Sequence, residues 1–200
     1  MKRSTAIILA LVSILIASVA VVMLIRPDVS EHPVQRTSGE ALVGGPFELV
    51  NGSGETVTEA DFAGQYMLIY FGFTFCPDVC PTELSRISTA MEDLGTEADK
   101  VTPIFITIDP ERDTPEAVGA YVDHFHPRMV GLTGTPDQIK QVAGEYRVYY
   151  KKVKDESSSA EYTMDHTSII YLMGPDGKFL THFGPGTKPE TMAEEISSYM

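Results

Sequence analysis

Hydrophobic and polar positions divide the chain into three stretches. From Thr5 to Ile25, 21 residues pass without a charge, about the ~20 that a helix needs to cross a hydrocarbon core. The next stretch, "RPDVSEHPVQRTSGEA", is polar, rich in Pro and Ser, and without helical or strand period, which reads as a tether. Beyond it, short periodic segments alternate with turn residues. "GPFELVNGSGETVT" predicts a short hairpin, and "YMLIYFGF" (66–73) is a near-continuous apolar run, as in a strand buried on both faces of a sheet. Leu84, Ile87, Met91 and Leu94 then fall on one helical face, and Gly95 ends the pattern. "VTPIFITID" (101–109) is a second buried strand.

Thr114 and Thr135, each followed by proline, predict two helix starts, because a threonine oxygen can accept a first-turn N–H and proline is already set for the first helical position. "VYYKKVK", "TSIIYLMG" and "KFLTHF" read as strands, the last two joined by a hairpin at "PDG". "KPETMAEEISSYM" closes the chain as a helix. "KDESSSAEY" (154–162) reads as a mobile surface loop. The fold class is therefore α/β, a central mixed sheet flanked by helices. The organisation is a membrane anchor over 1–26, a linker over 27–42 and one domain over 43–200.

Charge sets the topology and removes one class of function. Lys2 and Arg3 precede the apolar run and hold that end in the cytoplasm, so the domain faces outward. A cleaved signal peptide is the alternative, with "SVA" (18–20) as a site, but such apolar regions are usually about 7–15 residues long. No Arg-rich transit peptide precedes the run, so the expected location is a bacterial inner membrane, crossed once, with the domain in the periplasm. All 28 acidic residues and 12 of the 15 basic ones lie beyond Arg26, a formal charge of −16 on that part. Nucleic acid is a poor partner for so acidic a surface.

The chemistry centres on "FGFTFCPDVCPTEL", which holds the only two cysteines, Cys76 and Cys80. They follow the 66–73 strand at its carboxyl end, where open α/β sheets place their sites. Residues four apart in a first helical turn have Cβ atoms about 5–6 Å apart. A disulfide wants about 3.5–4.5 Å and would need local adjustment. As a structural staple so short a loop would stabilise little. A redox dithiol and two thiolate ligands of a metal remain. The helix terminus favours the thiolate, while the acidic Asp78 and Glu83 oppose it, so no strong activation is expected. Of the five histidines, His32 lies in the tether and His182 alternates along a terminal strand. His124 and His126, with Met129, are a minor candidate metal site. His166, between the acidic loop and a buried strand, can turn toward the cysteines.

Three separated motifs, "FGFTFCPDVCPTEL", "TIDPERDTPE" and "DHTSIIYLMGPDG", occur in the order found in the Sco/SenC family of copper proteins, and residues 43–199 resemble that family. The resemblance implies a thioredoxin-like domain on a membrane anchor. It implies that Cys76, Cys80 and His166 bind one copper ion per chain, as Cu(I) or Cu(II), for delivery to the CuA centre in subunit II of cytochrome c oxidase. A copper donor and a thiol reductant are then further partners. The other role it allows is a thiol-disulfide oxidoreductase acting on that subunit through Cys76 and Cys80, or a redox and copper sensor; the carrier role makes the protein no enzyme. The donor set agrees, since two sulfurs and an imidazole suit copper or zinc and are poor for magnesium or calcium. Asp165 could orient the imidazole, and Met164 is better placed to pack than to ligate. A peroxidase-like role has no residue of its own in the chain.

Overall fold

The structure, a computed structural model, describes residues 43–154 and 161–200. The expected anchor, the linker and most of the 154–162 loop lie outside the described residues, among which no helix is long and apolar enough to cross a membrane. A hairpin opens the domain, β1 (Glu48–Asn51) with β2 (Thr56–Thr58). The central strands are β3 (Tyr66–Gly72) and β4 (Val101–Thr107), parallel to each other. Helix α1 (Val79–Asp93) connects them, followed by a 3-10 turn over Gly95–Lys100. Then come α2 (Pro115–Val122), β5 (Val130–Thr133) and α3 (Pro136–Glu145). The chain ends with β6 (Tyr150–Val153), β7 (Thr163–His166), β8 (Ile170–Met173), β9 (Phe179–Phe183) and α4 (Pro189–Ser197).

Seven strands form one mixed sheet in the order β2-β1-β5-β4-β3-β8-β9. β3 is interior, paired with β4 on one side and antiparallel to β8 on the other, so Met67 through Gly72 are all buried. That double burial is why the run shows no polar alternation. The stripe Leu84, Ile87, Met91 and Leu94 of α1 enters the core, and α1 packs against α4. Gly95 terminates the helix in the left-handed region, at φ 56°, which glycine adopts without steric cost. Both threonine caps form: Thr114 accepts from the Ala117 N–H at 3.3 Å and Thr135 from that of Gln138, also at 3.3 Å.

One element departs from the sequence reading. Residues 163–166 form a strand of their own, and β6 pairs with it alone, in a two-stranded ribbon outside the main sheet. The cause lies in β6: Lys151, Lys152 and Val153 are all exposed, a pattern that leaves no face to bury in a central sheet. His166 therefore sits at the end of a ribbon, opposite Tyr150.

Candidate metal centre

The cysteines arrive at the carboxyl end of β3 through a turn fixed from below. Thr74 donates to buried Asp113 from both its backbone N–H, at 3.0 Å, and its hydroxyl, at 2.6 Å. The Thr107 hydroxyl donates to the same carboxylate at 2.5 Å, so the end of β4 and the cysteine turn share one anchor. Burial raises the Asp113 pKa against the lowering effect of these donors. The Cys76 N–H closes the turn on the Phe73 carbonyl at 3.2 Å.

Cys76 lies just before α1 rather than within its first turn. The N-cap residue, Asp78, makes no side-chain cap. The Cys76 sulfur occupies that role, accepting the Cys80 N–H at 3.3 Å where an oxygen usually would. Cys80, in the first turn, is fully buried. Its sulfur lies 3.6 Å from Nε2 of His166 and 3.8 Å from the Tyr70 hydroxyl, which donates to it. His166 Nδ1 stands 3.0 Å from the Thr167 carbonyl oxygen. A carbonyl only accepts, so Nδ1 carries a hydrogen, and Nε2 is the ring atom turned to the cysteines. The imidazole is further held edge-on to Phe73 and Tyr70, at ring separations of 5.9 and 6.3 Å.

The two thiols titrate very differently. Hydrogen bonding from Cys80 lowers the Cys76 thiol to a pKa of about 4, opposed by burial and aided by His166 and by the N–H groups of Cys80 and Asp78. The Cys80 thiol is pushed up, by its bond to the Cys76 sulfur and then by burial. One proton shared between the sulfurs gives both directions: Cys76 is the thiolate and Cys80 the donor. The expected absence of activation is thereby corrected. The Asp78 side chain does not oppose it, since that residue turns its N–H to the sulfur, and the Glu83 carboxylate faces Arg86 and the Gly186 N–H instead.

A labelling experiment follows. In the metal-free reduced protein, alkylation of Cys76 should titrate with a midpoint near the folded value of about 4, with Cys80 unlabelled at neutral pH. A midpoint at the free-thiol value of about 8.5 would contradict this. Because the folded pKa is depressed, the thiolate's stabilising contribution is complete above the unfolded value and is lost as pH falls toward about 4.

Other expectations fare unevenly. Met164 is buried and packs. Asp165 is exposed, opposite Lys151 in the ribbon, and the Thr167 carbonyl orients the imidazole in its place. Nδ1 of His124 lies against the Ala120 carbonyl and Nδ1 of His126 accepts the Arg128 N–H, so both Nδ1 atoms are engaged with backbone. As they stand, no three His, Cys, Asp or Glu side chains among the described residues are arrayed around a common metal position. In the site the sulfurs and the ring nitrogen contact one another by hydrogen bonds. The 3.6 Å between Cys80 Sγ and Nε2 is less than the roughly 4.3 Å sum of a metal–thiolate and a metal–imidazole bond, as zinc makes them. One ion can thus reach both atoms once Cys80 has lost its proton.

Gly72 is a site residue with a sequence signal that went unused, a glycine inside a buried apolar run. A Cβ there would stand 2.9 Å from the Cys80 sulfur and 2.9 Å from Phe105. Gly72→Ala should cost about 1–3 kcal/mol, the usual range for overpacking, and displace Cys80. Thermal unfolding checks this; an unchanged midpoint would contradict it. Asp113 and Thr74 gave no signal in a single sequence.

Comparison with known proteins completes the picture. A model of the SCO1/SenC family matches residues 35–200. The human mitochondrial SCO1 homologue is 45% identical over 201 residues, covering 99% of this chain and 66% of that protein. The mitochondrial relatives are longer, and the chain spans 60% of the mouse homologue and 48% of one from Arabidopsis thaliana. Bradyrhizobium japonicum ScoI, solved with copper bound, is 46% identical with a TM-score of 0.72, covering 79% of this chain and 99% of that one. BsSco, described as a member of the Sco family of cytochrome c oxidase assembly proteins with a disulfide switch, is 26% identical with a TM-score of 0.61, covering 78% of this chain and 92% of its own.

Proposed function

The chain belongs to the SCO1/SenC family, and from that premise we propose that it is a copper carrier for cytochrome c oxidase assembly. The observation that carries the reading is the convergence of Cys76 Sγ, Cys80 Sγ and His166 Nε2, with Nε2 3.6 Å from Cys80. Copper is the cargo, one Cu(I) or Cu(II) per chain, held by the two thiolates and the imidazole. Two soft sulfurs and one nitrogen suit copper in either state. The aromatic wall of Tyr70 and Phe73 keeps the imidazole oriented. Cys76, only partly buried, is the ligand an acceptor reaches first, and copper leaves as acceptor thiolates replace those of this chain. The acceptor is the CuA centre of subunit II, and a copper donor and a thiol reductant serve the cycle. The 1–26 segment anchors the protein in a bacterial inner membrane, with the domain in the periplasm.

The depressed Cys76 pKa also favours a second reading, thiol-disulfide exchange. The Cys76 thiolate would attack a partner disulfide and release one partner thiolate. Cys80, losing its proton, would then attack Cys76 in the mixed disulfide and release the other. Two electrons pass to the partner, this chain ends as the Cys76–Cys80 disulfide, and a thiol reductant restores it. A depressed pKa supplies thiolate but lowers its intrinsic nucleophilicity, which weakens this alternative.

The test is transfer. Copper-loaded protein mixed with the reduced, copper-free CuA domain of subunit II should lose its copper to that domain, measured after the two are separated. If the copper stays behind, while the reduced metal-free protein opens a disulfide in the same domain, the oxidoreductase reading replaces this one.

A further inference from the structure

We propose that Arg112 is a positioning residue that seats the His166 ribbon against the cysteine turn, an inference that rests on the copper-site reading. Strands β6 and β7 make no ladder with the central sheet, so side chains must fix where His166 stands. Arg112 bridges the two parts. Its Nε is paired with Asp109, which is fully buried at the end of β4, and its Nη1 donates to the Tyr162 carbonyl at 3.0 Å, one residue before β7. The Tyr162 hydroxyl returns to the other oxygen of Asp109 at 2.9 Å.

Three aromatic rings enclose the guanidinium. Tyr162 lies 3.9 Å from its central carbon, Phe75 at 4.7 Å and Phe73 at 5.9 Å. Phe73 and Phe75 belong to the cysteine turn, and Phe73 is the ring that meets His166 edge-on at 5.9 Å. Phe75 is 59% exposed, an unusual position for a phenylalanine, and the guanidinium gives its ring a partner. The planar cation thus contacts rings of both the turn and the ribbon while its N–H groups fix register. A lysine keeps the charge but cannot reproduce the flat stack together with the paired N–H bonds. The buried Nη2 has no acceptor among the described residues; the aromatic rings beside the guanidinium attract cations.

The experiment uses the full-length chain, with Cu(II) alone as the probe, in wild type, Arg112→Lys, His166→Ala and the double variant. Arg112→Lys should weaken Cu(II) binding by about 10–100-fold, the range for residues that orient a ligand. It should have no further effect once His166 is alanine, because the two changes then remove one interaction. Additive losses would overturn the proposal. Hydrogen exchange of the metal-free protein supplies an independent arm. The β6–β7 amides should exchange at least about tenfold faster in Arg112→Lys, and the β3 and β4 amides at unchanged rates. Unchanged ribbon exchange, or faster exchange throughout, would overturn the proposal. Tyr162→Leu, which removes the ribbon's ring and hydroxyl from the clasp but keeps the residue-162 carbonyl, should reproduce the ribbon effect, and wild-type exchange there would also contradict it. If the wild-type chain binds no Cu(II), the copper reading fails, and the exchange arm alone decides whether Arg112 seats the ribbon.

Discussion

Cys76→Ser and Cys80→Ser should each abolish tight copper binding, a larger loss than the roughly 10–100-fold caused by residues that only support a ligand. Each substitution removes one of two soft donors and leaves a hard oxygen in its place. The Cys76 variant is the cleaner one. Serine is a good helix-capping residue, so its oxygen can still accept the Cys80 N–H that the sulfur now holds at 3.3 Å, and the start of α1 should survive. Thermal stability near that of wild type, together with lost copper, would separate ligation from folding. Copper content unchanged in either variant, by metal analysis of the purified protein, would remove that cysteine from the site and overturn the two-thiolate assignment.

His166→Ala should divide the two functions. The residue ends a two-stranded ribbon outside the main sheet, so stability should fall little, and Cys76 and Cys80 should still cycle between dithiol and disulfide. A dithiol reductase needs no imidazole. A copper site does, and Cu(II), which depends more on nitrogen donors than Cu(I) does, should suffer most. The expected result is a strong loss of Cu(II) affinity, a smaller loss for Cu(I), and failure to support oxidase assembly in cells lacking the wild-type protein. Full support of assembly by this variant would favour the oxidoreductase reading. Asp165→Asn should leave affinity near wild type, because the imidazole leans on the Thr167 carbonyl and not on that carboxylate.

How far the chain could be read in advance depended on how local the cause was. β3 was legible because burial on both faces leaves an unbroken apolar run, and α1 because its core stripe repeats at helical spacing and stops at Gly95. Both threonine caps were legible for the same reason, since the groups that bond lie within three residues of each other. The β6–β7 ribbon was not, because its pairing joins residues on either side of the 155–160 segment and β6 carries no burial pattern. The acidity of Cys76 was misjudged from the formal charges of Asp78 and Glu83. Those carboxylates matter less than a backbone N–H, a neighbouring thiol and an imidazole brought in from 90 residues away. Neither the Arg112 clasp nor the Asp113 anchor leaves a local trace; both exist only once β4, the cysteine turn and the ribbon have met.

The central claim is that the two cysteines hold copper as thiolates. It is tested most directly by loading the reduced, metal-stripped protein with copper and counting metal and reactive thiols in the same sample. One copper per chain, with Cys76 protected from alkylation in the folded protein and both thiols labelling once the metal is removed and the chain unfolded, is the predicted result. Copper bound while Cys76 labels as freely as in the metal-free protein would contradict it.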